Sequence, residues 1–223
     1  MTRGTTEGAE VERTLVATPV GDARISWHRP AGPARALLGL VHGTGRGIEA
    51  PDMVALAAAL PAQGITVALV EQPWKVAGEP DSPAAPTLDA GWLPVAERLA
   101  AEGLPLLVGG RSAGARVACR TGARSGAVAV LALSFPLVPP DRPQESRAGE
   151  LLGSGLPTLV VQGTDDEFGG PDVFPELPAG WRLTGVPAAD HIFAPPGESL
   201  HPTPEALALI TATVADWLAS LTL

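Results

Sequence analysis

The sequence predicts an α/β fold, one domain built on an open, mostly parallel sheet with helices on both faces and a minimal cap. Three observations lead there. Short runs that are apolar throughout recur along the chain, as strands buried on both faces require. Between them lie segments with apolar residues at helical spacing. The alternation of the two types persists from residue 36 to the C-terminus without a linker or an internal repeat, which favours a doubly covered parallel sheet with right-handed crossovers.

Taken in order, residues 1–10 read as a flexible leader and 11–223 as the domain. Residues 11–18 and 23–28 read as two strands of a starting hairpin joined by Pro19-Val20-Gly21-Asp22. Residues 36–41 form the first buried run and stop at the glycine loop His42-Gly43-Thr44-Gly45. Pro51 and Asp52 open a helix towards Gly64, with proline at its first position and an acid in its first turn. A strand over 65–70 follows, then a proline-punctuated loop over 71–86. The next helix carries Leu88, Trp92, Val95 and Leu99 on one face, with Pro94 as a kink or as its true start.

Residues 104–108 form the central strand, ended by Gly109 and Gly110, and a helix occupies 113–120. After a strand over 127–133 comes a connection of about twenty residues with room for one short helix and no large lid. Strands over 156–161 and 181–186 complete the sheet, and the last helix has Thr203 as cap and Pro204 at its first position.

Composition excludes several functions. A net charge of -9 without any Lys/Arg-rich run leaves no footprint for nucleic acid or an anionic membrane. The N-terminus lacks a secretory apolar run and no stretch is long enough to span a bilayer, so a cytoplasmic location is expected. Cys119 is the one cysteine and reads as a packing residue, so neither a disulfide nor a cysteine-built metal site is expected. No cofactor is expected either: Gly43-Thr44-Gly45 is followed by Ile48 where a dinucleotide fingerprint needs glycine, and no P-loop is present.

The chemistry gathers at the ends of the strands, where ligand sites form in such sheets. Gly110-Arg111-Ser112-Ala113-Gly114 fits G-x-S-x-G between a strand and a helix, a turn that lifts a serine hydroxyl above the sheet. A serine needs a base, and His191 after the last strand can take its proton. A carboxylate must orient that imidazole; Asp166 and Asp165 compete for the role, a choice the motif resemblance below decides for Asp166, with Glu167 and Asp190 read as solvated. The N–H groups of Ala113 and Thr44 would meet a developing oxyanion. Trp74, Phe135 and Phe168 line an acyl pocket or belong to the core, two readings of equal weight. Arg111 is read as an ion-pair partner of a loop acid such as Glu71 in preference to a substrate contact, and His28 and His201 as ordinary packing or surface residues.

The order Ser, Asp, His on successive strand ends resembles the α/β-hydrolase superfamily. Gly109 to Arg116 (GGRSAGAR), Val161 to Gly169 (VQGTDDEFG), Asp190-His191-Ile192-Phe193 and His42-Gly43-Thr44-Gly45 resemble motifs of its dienelactone-hydrolase-like branch, in particular the testis-expressed and chromatin-complex NSL hydrolase-like proteins. The resemblance places Asp166 on that motif's aspartate and implies an α/β-hydrolase fold. It also implies hydrolysis through an acyl-enzyme. The departures are Ile192 for a serine, Val138-Pro139-Pro140-Asp141 for H-P-P-G, and Ser112 where dienelactone hydrolases proper carry cysteine. The leading expectation is therefore a metal-free serine hydrolase that cleaves a small-molecule carboxylic ester or thioester through Ser112 at an open site. The alternative is a hydrolase-fold binding or scaffold protein whose site is unused.

Overall fold

Where a strand is covered on both faces it can bury every residue in a row, and the apolar runs of the sequence become such strands. A computed structural model describes residues 11–223; the leader read over 1–10 lies outside the described residues. Eight strands, β1 (Glu12–Thr18), β2 (Gly21–His28), β3 (Ala36–Val41), β4 (Ile65–Glu71), β5 (Leu106–Arg111), β6 (Ala129–Leu133), β7 (Thr158–Gly163) and β8 (Arg182–Val186), form one sheet in the order β1-β2-β4-β3-β5-β6-β7-β8. β1 pairs with β2 and β2 with β4 antiparallel; every later pairing is parallel. All residues of β3, β5, β6 and β7 are buried, whereas β1 at the edge is half exposed.

The helices are α1 (Pro51–Ala59), α2 (Pro73–Val76), α3 (Ala85–Ala100), α4 (Ala113–Thr121), α5 (Ala148–Leu152) and α6 (Pro204–Ser220). α1 and α6 cover one face through Met53, Leu56, Ile210, Val214 and Trp217. α3, α4 and α5 cover the other through Trp92, Val95, Leu99, Val117 and Leu151. α5 is the only helix in the connection from β6 to β7 and lies against α4, where Arg116 makes two hydrogen bonds of 2.7 Å to Glu150. Arg120 ties the same glutamate to Asp89 of α3. Burial would raise the Glu150 carboxyl, but the two guanidinium groups overcome it and hold the group below its ordinary range.

Several sequence boundaries move. β5 runs on through Gly109 and Gly110 to Arg111, because both glycines stay in register with Leu131 and Ala132 of β6. Pro94 neither starts nor ends α3: the buried face of Trp92, Val95 and Leu99 keeps the helix on the sheet across the missing N–H. The loop over 71–86 contains α2, four residues opened by Pro73 and too short to show a period. Cys119 is buried, and that burial pushes its thiol up to about 12, as suits a packing residue.

At the start of α6 the Thr203 hydroxyl accepts from the Ala206 N–H at 3.1 Å. Thr203→Ala removes this cap and should cost about 1 kcal/mol in urea unfolding, with an unchanged denaturant slope.

Candidate functional site

The turn after β5 puts a side chain where the sheet ends. Ser112 has φ 54° and ψ -116°, a strained backbone for a residue with a Cβ, and its N–H is held by the Leu133 carbonyl at 2.9 Å. The flanking glycines are required by close approach. A Cβ on Gly110 would come within 2.5 Å of the Val41 carbonyl oxygen, and one on Gly114 would run into that same carbonyl.

His191 stands on the loop after β8. Its Nε2 is 2.9 Å from Ser112 Oγ, and its Nδ1 is 2.8 Å from Asp166 Oδ2 and 3.1 Å from Oδ1. An ionised carboxylate only accepts, so Nδ1 carries the hydrogen and Nε2 is left to accept from the serine hydroxyl. Asp166 is buried after β7 and is fixed twice more: Oδ1 accepts from the Phe168 N–H at 2.8 Å and Oδ2 from Gln162 Nε2 at 2.7 Å. The Phe168 ring packs on the imidazole at a centroid distance of 4.5 Å. The arrangement can draw the proton off a serine hydroxyl while balancing the charge on the imidazolium that results.

Thr44 and Ala113 line one hollow beside Ser112, and Ala113 is the first residue of α4, where the N–H has no partner within the helix. Trp74 packs edge-on against His42, 5.4 Å between ring centroids, in the wall next to Ala113. Phe135 is fully buried in the core cluster on the α3, α4 and α5 face of the sheet, in agreement with the core reading.

Arg111 does not pair with Glu71, which is occupied by Arg24 from the neighbouring strand at 2.6 Å. Instead Arg111 is buried at 4% exposure, its Nη2 donates to the His191 carbonyl at 2.9 Å and its Nε lies 3.4 Å from Asp52 Oδ2. Burial raises the Asp52 carboxyl against the opposing pull of Arg111. Asp190 is no solvated acid either: its Oδ1 accepts from the N–H groups of Ile192 and Ala194 at 2.8 and 2.9 Å, holding the loop that carries His191. Asp165 and Glu167 are exposed.

Four supporting residues were missed from sequence: Gln162, Asp52, Asp190 and His42. For Gln162 the signal was its place in the VQGTDDEFG motif; Asp52 announced itself only as a helix-start acid. His42 is buried, its Nδ1 donating to the Gly43 carbonyl at 2.6 Å and its Nε2 accepting from the Gln72 N–H at 3.1 Å. Both contacts suit the neutral ring, and burial lowers its pKa. Among the described residues no group of three His, Cys, Asp or Glu could hold a metal ion, and no helix is long and apolar enough to cross a membrane.

A family model described as Alpha/beta hydrolase domain matches residues 34–219. No curated protein matches the sequence. Among solved structures, XC6422 of Xanthomonas campestris, an α/β serine hydrolase without a lid, is 20% identical with a TM-score of 0.72 over 98% of this chain and 100% of that one. Dienelactone hydrolase of Anabaena variabilis is 19% identical with a TM-score of 0.73 over 94% and 97%. Est1E of Butyrivibrio proteoclasticus, with ferulic acid bound, is 13% identical with a TM-score of 0.71 over 93% and 100%. The chain is similar in fold to all three.

Arg111→Met strands a buried carboxylate and should cost about 3 kcal/mol in urea unfolding, while Arg111→Met with Asp52→Leu should recover part of that loss. Because the folded pKa of His42 lies below its unfolded value near 6.5, its contribution is complete above that pH and is lost as pH falls towards the folded value. Stability measured from about pH 7 to 5 should therefore fall more steeply in the native chain than in His42→Gln.

Proposed function

The chain belongs to the alpha/beta hydrolase family, and from that premise we propose that it is a serine hydrolase cleaving a carboxylic ester or thioester through an acyl-enzyme on Ser112. The observation that carries this reading is the unbroken hydrogen-bonded run from Ser112 Oγ through His191 to Asp166, at 2.9 and 2.8 Å. Ser112 Oγ attacks the substrate carbonyl carbon as His191 Nε2 takes its proton, and Asp166 stabilises the imidazolium. The N–H groups of Ala113 and Thr44 receive the oxyanion. Collapse of the tetrahedral intermediate expels the alcohol or thiol, which leaves with the proton from His191. Water, activated by the same nitrogen, then releases the acid and restores the serine.

The short β6 to β7 connection, with α5 alone in it, suits an open site for a small or extended acyl substrate. Trp74 in the wall beside Ala113 and Phe168 against His191 supply its aromatic surface. The motifs at Gly109 to Arg116, Val161 to Gly169 and Asp190 to Phe193 support placing the chain in the dienelactone-hydrolase-like branch beside the testis-expressed and NSL-complex hydrolase-like proteins.

Labelling with a fluorophosphonate probe tests the reading. The native chain should label, Ser112→Ala should not, and His191→Ala and Asp166→Asn should label roughly a thousandfold more slowly while remaining folded by circular dichroism. A folded native chain that takes up no probe would sink the proposal.

A further inference from the structure

The hollows on the Ala113 side of the site change in character from one to the next. At one end, between the β1–β2 turn and α2, lies a mainly apolar cavity of about 440 Å³ walled by Val20, Pro73, Trp74, Val76 and Pro83. Pro83 also walls the middle hollow of about 230 Å³, which contains Thr44 and Ala113 and is bordered by Arg116 and Arg120, the latter paired with Asp89 and Glu150. Ala84, Ala85 and Arg116 in turn border a third, polar hollow of about 740 Å³ that contains Arg142 and Arg147. The three share walls in sequence, so the residues proposed to bind the oxyanion sit between an apolar end and an arginine-bearing end.

The charges have a polarity to match. Asp22 and Glu79 are the charged groups of the apolar cavity and repel an anion there. Arg116, Arg142 and Arg147 face Glu145 and Glu150 in the far hollow, an excess of one positive charge in a chain of net charge -9. Arg116 is taken up by Glu150, and Arg142 by Asp141 and Glu145. Arg147 has no carboxylate partner among the described residues; its Nη1 donates to the Pro136 carbonyl at 2.9 Å, and its remaining N–H donors are available to a ligand. Burial is the main cause that lowers its pKa, with Arg116 and Arg142 adding to it against the pull of Glu150 and Asp141.

We infer that the substrate is an amphipathic ester whose scissile carbonyl lies between an apolar chain, seated beside Trp74, and a carboxylate, bound by Arg147. The inference rests on the reading of Ser112 as nucleophile. Hydrolysis of such an ester consumes one water and leaves a free acid and an alcohol. A guanidinium recognises a carboxylate by paired charge-assisted hydrogen bonds, and the half-buried position of Arg147 limits screening.

The test uses octyl monoesters of succinate, adipate and suberate, each compared with the analogue whose terminal carboxylate is a primary amide, with octanol release as readout. The native chain should favour the carboxylate at the best spacer by about tenfold in kcat/KM. That preference should fall towards one in Arg147→Gln, survive in part in Arg147→Lys, and shrink at about 0.5 M salt. Ala77→Trp, at an exposed residue lining the apolar cavity, should lower the ratio of octyl to ethyl ester turnover. Equal native rates for acid and amide, or a preference unchanged in Arg147→Gln, would overturn the inference. If no ester turns over and Ser112 takes up no fluorophosphonate, the hydrolase reading fails by itself, and the groove is judged by calorimetry. Binding of N-octyladipamic acid over N-octyladipamide, lost in Arg147→Gln, upholds it; equal binding of the two overturns it.

Discussion

The contact on which the site depends is between main chains. Gly110 and Gly114 lie so close to the Val41 carbonyl that neither has room for a Cβ. That closeness lets α4 begin directly over β3 and β5 and forces the chain at Ser112 into a conformation that costs on the order of 1 to 3 kcal/mol. The strain is held by the Ser112 N–H bond to Leu133 and by the buried ladders on either side. Ser134 and Ala188, at the ends of β6 and β8, also have positive φ. The unfavourable backbone is thus concentrated along the edge of the sheet where Ser112 and His191 stand.

Beneath that edge lies a set of buried polar groups. Arg111 reaches from the end of β5 to the His191 carbonyl and to Asp52 at the start of α1. Gln162 braces Asp166 and the Gly169 carbonyl at once. His42 spans the glycine loop and the start of α2. Buried polar groups are costly unless paired; Arg111 and Asp52 meet as an ion pair without a side-chain hydrogen bond, while the bonds of Arg111 to His191, of Gln162 and of His42 tie the loops in place. Their common effect is to hold the separations between Ser112, His191 and Asp166.

Much of this was legible beforehand. The strands could be read because both-face burial leaves an unbroken apolar run, and α6 because Thr203 and Pro204 mark its start. The G-x-S-x-G turn named Ser112, and the VQGTDDEFG and Asp190-His191 motifs named Asp166 and His191, which the fold brings within hydrogen-bonding distance. Misreadings arose where a residue's role lies in contacts across the fold. Arg111 was paired on the linear chain with a loop acid such as Glu71, and nothing local singled out Asp52; β2 runs beside β4 and gives Glu71 to Arg24, leaving Arg111 to Asp52. Asp190 looked solvated because nothing local reveals that its carboxylate closes its own loop.

The sequence by itself determined the fold class, the order of the candidate site residues and the tight turn at the serine, since these follow from periodicity, local backbone preference and spacing. Tertiary structure alone decided which buried charges meet, that Phe135 is core while Phe168 stacks on His191, and how apolar and cationic hollows line up on either side of Ala113. Those outcomes depend on distances between segments tens of residues apart, which burial and strand order fix only once the whole sheet has formed.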